Sequence, residues 1–150
     1  MASTLTNLIY HVVFSTKGRE PMIVPSIRDE LYRYIGGIVK NEGGIMLEIG
    51  GMPDHLHLVV KLKPTHELSK IMQKIKGNTS KWINGQGKLK DRFSWQDGYG
   101  AFSVSESQVP IVIRYVKNQE THHRKLSFKG EFIQILERNQ VEYEERYLWT

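Results

Sequence analysis

The sequence predicts an α+β fold, an antiparallel sheet laid down as strand, helix, strand, strand, helix, strand, with a further C-terminal helix added to it. Three observations carry this reading. Four short segments, residues 6–15, 45–49, 53–60 and 99–105, are rich in β-branched and aromatic residues and alternate or run continuously in apolar character. Two longer segments between them space their apolar residues three and four apart, as an amphipathic helix does. Gly50-Gly51-Met52-Pro53 is a turn sequence short enough to join the two middle strands as a hairpin. The order is the ferredoxin-like βαββαβ pattern, and at 150 residues the chain is expected to be one domain, 1–150.

Each element has its own justification. Residues 6–15 are apolar on both faces, which marks a central strand. A loop over 16–25 leads to a helix for which Ser26 is the expected N-cap, followed by the stripe Ile27, Leu31, Tyr34, Ile35 and Ile38. Gly43-Gly44 stops it. In the strand entered at Pro53, residues two apart share a face, so His55 and His57 project together while Leu56, Leu58, Val60 and Leu62 line the other side. The second helix is expected over 65–83, with Leu68, Ile71, Met72 and Ile75 on one side and Lys70, Lys74 and Lys81 on another. Residues 84–98, Gly-rich, basic and aromatic, read as a mobile loop. A third helix over 106–125 accommodates Pro110 only in its first turn. A shorter helix, Phe128–Arg138, and an aromatic tail over 143–149 complete the chain.

Composition narrows the function. The chain is 39% hydrophobic and 25% charged, ordinary for a globular protein, and no apolar run approaches the ~18 residues of a membrane span. No basic segment precedes the first apolar stretch, so no signal peptide is expected. Without Cys there is neither a disulfide nor a thiolate metal site, which fits a cytoplasmic location. The net charge of +5 points to a polyanionic partner. The basic charge is concentrated over 66–90, where six Lys face the single acid Glu67, and a phosphate backbone can lie there.

Two imidazoles on a stiff strand can hold one divalent metal with positions left open, provided other donors join them. The third helix offers them. Tyr115 and Gln119, four apart, share one helical face, and His122 continues it. Val109, Val112, Ile113 and Val116 make the adjoining apolar side, which needs a surface to cover it.

The segments Tyr10-His11-Val12-Val13-Phe14, Pro53-Asp54-His55-Leu56-His57-Leu58, Trp95-Gln96-Asp97-Gly98-Tyr99-Gly100 and the run from Tyr115 to Lys125 resemble the single-tyrosine HUH transposases of small bacterial insertion sequences. The ending Glu145-Arg146-Tyr147-Leu148-Trp149 is similar too, and the likeness extends to the REP-associated tyrosine transposases. The resemblance implies that His55, His57 and Gln119 are metal ligands and that Tyr115 is the nucleophile. It implies cleavage and rejoining of single-stranded DNA at hairpin-flanked ends through a 5′-phosphotyrosine, and a homodimer whose subunits share active sites.

Mixed nitrogen and oxygen ligation with open positions suits Mg²⁺ or Mn²⁺, although Mg²⁺ prefers more oxygen. Lys70, Lys74, Lys81, Lys88, Lys90 and Arg92 are candidate phosphate contacts. Phe93, Trp95 and Tyr99 are candidates for stacking on unpaired bases, with core filling as the competing role. His11, His66, His122 and His123 are read as surface or core histidines, His122 also as a contact to DNA. The alternative function is a catalytically idle ferredoxin-like sheet that grips single-stranded nucleic acid by stacking; it has no need of two His, a Gln and a Tyr together.

Overall fold

The computed structural model describes residues 3–149. Strands β1 (Leu8–Ser15), β2 (Ile45–Met52), β3 (His55–Leu62) and β4 (Gly100–Val104) form one antiparallel sheet in the order β2-β3-β1-β4. Helix α1 (Pro25–Asn41) joins β1 to β2, and α2 (Leu68–Gln86) joins β3 to β4. This is the ferredoxin-like arrangement that the order of segments predicts, with β1 and β3 at its centre. After β4 come α3 (Val109–Lys117), α4 (Gln119–His123), α5 (Phe128–Arg138) and the short α6 (Glu145–Leu148).

The sheet is covered on both faces. Val12, Phe14, Leu56, Leu58 and Val60 turn one way, into a core shared with α1 and α2, where Leu31, Ile35, Met72 and Ile75 are buried. The alternate residues Ile9, His11, Val13, His55, His57 and Val59 turn the other way. There Val116 of α3 packs on Ile9, Val59 and Val104, while Phe128, Ile135 and Leu136 of α5 pack on Val13 and Phe102. Each such apolar side chain stabilises the fold by about 1.5–3 kcal/mol when fully buried. Of the apolar side of α3, Val116 is thus buried on its own sheet, Val109 and Val112 are half-buried against the same cluster, and the half-buried Ile113 lies outside it.

Several local expectations are also corrected. Helix α1 starts at Pro25 with Val24 as N-cap and no side-chain cap, because the proline ring presets the first turn and makes the Ser26 cap unnecessary. The β2–β3 turn is Pro53-Asp54, with Gly50 and Gly51 inside β2. Helix α2 starts at Leu68 and runs to Gln86, where Gly87 ends it at φ 66°. The segment after it is not a mobile loop. Phe93 and Trp95 are buried in the main core, and the Asn84 side chain holds the Phe93 backbone through both its N–H (2.7 Å) and its carbonyl (3.0 Å). The helix over 106–125 is broken at Asn118 (φ −98°, ψ 28°), whose N–H turns to the carbonyls of Arg114 and Tyr115.

Gly50, inside β2, lets α3 settle on the sheet. A Cβ on Gly50 would lie 2.5 Å from the Val116 carbonyl oxygen, which belongs to rigid backbone. A Cβ on Gly36, within α1, would meet nothing within 4 Å. Opposite signs are expected on urea unfolding. Gly50→Ala should destabilise the chain by about 1–3 kcal/mol through overpacking. Gly36→Ala should stabilise it by about 0.5–1 kcal/mol by restricting the unfolded backbone. Equal effects at the two positions would show that α3 does not depend on close approach at Gly50.

Candidate active site

The site forms on the face of the sheet covered by α3 to α5. His55 and His57 point into it from β3, and His11 stands diagonally across from His57 on β1. Tyr115 comes from the last turn of α3, Gln119 opens α4, His123 closes it, and Glu131 sits in the first turn of α5. His55, His57, Gln119 and Glu131 are each at most 1% exposed. The break at Asn118 does not separate Tyr115 from Gln119, since the Gln119 amide still donates to the Tyr115 carbonyl at 3.4 Å.

Glu131 is the centre of the arrangement. Its Oε1 lies 3.1 Å from His57 Nε2, 3.3 Å from His55 Nε2 and 3.1 Å from His123 Nε2. Its Oε2 accepts hydrogen bonds from the Tyr115 hydroxyl and, at 3.2 Å, from the Gln119 amide. Gln119 Oε1 faces His55 Nε2 at 2.9 Å and His123 Nε2 at 3.1 Å. On the outer side, His55 Nδ1 donates to the Asp54 carboxylate at 2.7 Å, and His57 Nδ1 meets His11 Nε2 at 2.8 Å.

Charge follows from these contacts. Burial pushes the Glu131 carboxyl up, but hydrogen bonds from His55, His57 and Tyr115 outweigh it and hold the group well below the usual carboxylate range. Burial alone pulls His55 down; its bonds to Asp54, Glu131 and Gln119 prevail and raise it to about 9. His11, desolvated and beside His57, is pulled down to about 3 and stays neutral. Burial, then the bond to Glu131, raises the Tyr115 hydroxyl above its ordinary value.

The residues present fit a divalent cation. In a neutral His55 the one ring proton would face Asp54, and the Nε2 lone pair would then point at two oxygens that cannot donate to it, Gln119 Oε1 and Glu131 Oε1. Acceptors converging in this way need a positive charge among them, supplied by a metal or by an additional proton. His55, His57 and Glu131 bring their ligand atoms within 4.8 Å of one another, and outer acceptors orient the rings as in metal sites generally.

The structure thus brings together the four residues singled out first, His55, His57, Gln119 and Tyr115, within one chain. It leaves the lysines elsewhere. Lys70, Lys74 and Lys81 lie on α2, across the sheet; Lys70 pairs with Glu67 (3.4 Å) and Lys74 with Glu42 (2.7 Å). Lys88 reaches the Ser26 carbonyl at 3.3 Å, while Lys90 and Arg92 are exposed after α2. Trp95 is corrected: packed against Phe14 and Phe93 and donating to Thr79 at 2.9 Å, it is core and presents no face for a base. His122 lies tilted against the Tyr115 ring at 4.4 Å between centroids, and His66 binds the Glu42 carbonyl away from the site.

Three residues of the cluster escape the sequence reading: Glu131, His123 and His11. Glu131 carries a signal, an acid set among Phe128, Phe132 and Ile135 on the apolar stripe of α5. His123 stands four residues beyond Gln119, the helical spacing that also relates Gln119 to Tyr115.

Comparison with known proteins bears on this site. Residues 4–119 match the family model described as "Transposase IS200 like". The chain is 24% identical over 117 residues to the ISDra2 transposase TnpA of Deinococcus radiodurans, covering 75% of this chain and 84% of that protein. It is 28% identical over 128 residues to the transposase for insertion sequence element IS200 of Salmonella typhimurium, covering 79% and 81%. The crystal structure of a putative transposase from Deinococcus radiodurans R1 superposes with a TM-score of 0.65 at 24% identity, over 79% of this chain and 95% of that one. A REP-associated tyrosine transposase bound to a REP hairpin gives a TM-score of 0.61 at 14% identity, over 82% and 72%. At these identities the two structures speak for a shared fold.

Glu131→Ala is expected to destabilise the chelator-treated protein by about 3–5 kcal/mol, since it strips the buried imidazoles of their shared counter-charge. Urea unfolding in excess EDTA measures this. A loss below ~1 kcal/mol would mean that Glu131 does not organise the cluster.

Proposed function

The chain belongs to the IS200-like transposase family, and on that premise we propose that it is a metal-dependent enzyme that cleaves and rejoins single-stranded DNA at hairpin-flanked ends. The observation that carries this reading is the carboxylate of Glu131, which joins the Tyr115 hydroxyl to the His55, His57 and Gln119 donors in one chain.

In the proposed reaction Tyr115 Oη attacks the phosphorus of a phosphodiester. The bond from phosphorus to the 3′ oxygen breaks, and the proton given up by the tyrosine ends on that oxygen. The products are a 5′-phosphotyrosine and a free 3′-hydroxyl. Attack by a 3′-hydroxyl on the phosphotyrosine then restores a phosphodiester and returns the proton to Tyr115, so no nucleotide cofactor is consumed. His55, His57, Gln119 and Glu131 would hold a divalent cation, which when bound polarises a non-bridging phosphate oxygen and stabilises the departing oxygen.

This chain's own residues supply positioning. The His122 ring against Tyr115 and the hydroxyl bond to Glu131 fix the nucleophile in one rotamer. Tyr115 and Glu131 line a cleft of about 380 Å³ whose wall includes Lys125 and Arg138, cations that suit an approaching phosphate. Lys81, Lys88, Lys90 and Arg92, with Lys70 and Lys74, remain proposed contacts for the backbone of the hairpin stem. A structural relative is bound to a REP hairpin, which supports a hairpin as the substrate. Burial of Phe93 and Trp95 weakens the alternative of a stacking module.

Tyr115→Phe should abolish the covalent adduct formed with a labelled single-stranded hairpin oligonucleotide, read on a denaturing gel, while leaving hairpin binding within about twofold. EDTA should stop cleavage in the wild type. An adduct that persists in the variant and maps to another tyrosine would overturn the assignment.

The site proposed here is complete in each chain, in place of sites shared across a homodimer. Co-expressed His57→Ala and Tyr115→Phe chains carrying different tags should therefore give no cleavage after tandem purification, since each chain keeps one lesion. Recovery of cleavage in a verified mixed species would restore the shared-site arrangement.

A further inference from the structure

Across α5 from the Tyr115 cleft lies a cavity of about 480 Å³, bordered by β4, α5 and the C-terminal tail, which the proposed reaction does not use. Its lining is aromatic: Tyr99 just before β4, Phe102 within it, Phe132 on α5, and Tyr143, Tyr147 and Trp149 from the tail. Tyr99, Val141 and Tyr147 stay exposed there, at 38%, 40% and 62%. Apolar surface left in water and gathered around one cavity marks a binding site. The tail that borders the cavity is anchored. Gln96 Nε2 donates to the Leu148 carbonyl at 2.5 Å, while Gln96 Oε1 accepts from Ser15 Oγ at 3.2 Å and from Arg19 at 3.3 Å.

Charge selects the occupant. Asp97 and Glu142 line the cavity, and their carboxylates repel a phosphate. Cations stand behind the rings instead. The guanidinium of Arg19 and the ammonium of Lys129 each lie 5.2 Å from the centre of the Trp149 ring, and the Arg146 guanidinium lies 4.7 Å from that of Tyr147. Ring faces inside, with positive charge beyond them, match a flat uncharged ring whose attached phosphates stay outside. We propose that this cavity binds an unpaired nucleobase of the DNA strand, a few nucleotides from the scissile phosphate. This rests on the reading of the chain as an enzyme acting on single-stranded DNA, and adds to it a subsite that holds the strand by a base.

Position decides which base this is. Glu131, Gln134 and Arg138 of α5 border the cleft at Tyr115, whereas Phe128, Phe132 and Leu136 of the same helix border the cavity. The helix therefore runs between the two. With its side chains a helix is ~10–12 Å across, so a strand with one phosphate at Tyr115 must cross α5 before a base enters the cavity. That excludes the two bases next to the cut and favours one slightly further along. Phe128 ties the cavity to the cluster, since its ring also stacks on His55 at 4.3 Å between centroids. A base seated there fixes the strand on one side of Tyr115 and so helps to choose which phosphate lies opposite the hydroxyl.

The test uses the full-length chain carrying Tyr115→Phe, which separates binding from cleavage, and a hairpin oligonucleotide with single-stranded extensions. Each extension base is removed in turn to leave an abasic site, and binding is read by fluorescence anisotropy. Removal of a base a few nucleotides from the cut should weaken binding by about fivefold to a hundredfold. Tyr99→Ala should weaken binding of the intact oligonucleotide by a similar factor, and removal of that same base should then cost nothing further. Tyr99→Phe keeps the ring and should retain both the affinity and the dependence on that base. If Tyr99→Ala does not fold, Tyr147→Ala in the tail gives the same reading. Unchanged binding at every abasic position, or losses that add to those of the tyrosine variants, would overturn the proposal while leaving the wild-type adduct at Tyr115 intact. An oligonucleotide neither bound nor cleaved by the wild type would overturn this proposal and the proposed function together.

Discussion

One buried carboxylate organises the second face of this protein. Glu131 is 1% exposed, and its two oxygens are shared among three imidazoles, an amide and a phenol. An isolated carboxylate in such a place would be expelled or protonated. Here the surrounding donors keep it ionised, and the chain segments that carry those donors are thereby fixed relative to one another. Helix α3 brings Tyr115, α4 brings Gln119 and His123, and β3 brings His55 and His57. The position of Tyr115, the proposed nucleophile, is thus set by the same charge that completes the proposed metal donors. The alignment is a property of side-chain electrostatics as much as of helix packing.

That arrangement is possible because the sheet is buried on both sides. Even-numbered residues of β3 from Leu56 to Leu62 enter the core under α1 and α2, which makes the strand rigid without engaging its odd-numbered face. The odd-numbered face then divides by position. Val59 continues into apolar contact with Val116, while His57 and His55, nearer the Pro53-Asp54 turn, meet the polar cluster. Gly50 in the neighbouring strand removes the side chain that would otherwise hold α3 away. A strand with a single buried face would leave the imidazoles solvated, and solvation would weaken every electrostatic contact they make.

The sequence discloses what periodicity governs and conceals what depends on tertiary packing. Alternation along β3 places His55 and His57 on one face, and helical spacing places Tyr115 near Gln119, although Asn118 breaks the helix between them. No Gly or Pro marks that break. The side chains that close it, Gln119 against His55 and Glu131, come from distant parts of the chain. The same holds for residues 84–98, whose Gly-rich, basic composition suggests mobility. Their order comes from Phe93 and Trp95 entering a core that local composition does not reveal. Glu131 is legible only as an anomaly, a charge on an apolar stripe, and such an anomaly says that a partner exists without naming it.

The placement of charge bears on how a strand would reach the site. The lysines of α2 lie across the sheet from Tyr115, so no straight groove connects them to the cluster. Under the proposed function, a hairpin stem held along α2 must send its single strand around an edge of the sheet before a phosphate meets Tyr115. The cleft beside Tyr115 carries Lys125 and Arg138, a second and separate source of positive charge. Separation of this kind divides the work physically. Under that function the exposed lysines would act through long-range, salt-sensitive attraction, while the buried cluster would act through short contacts that salt screens little. Grip and chemistry can then respond differently to the same change in ionic strength, because only one of them is exposed to the solvent that carries the ions.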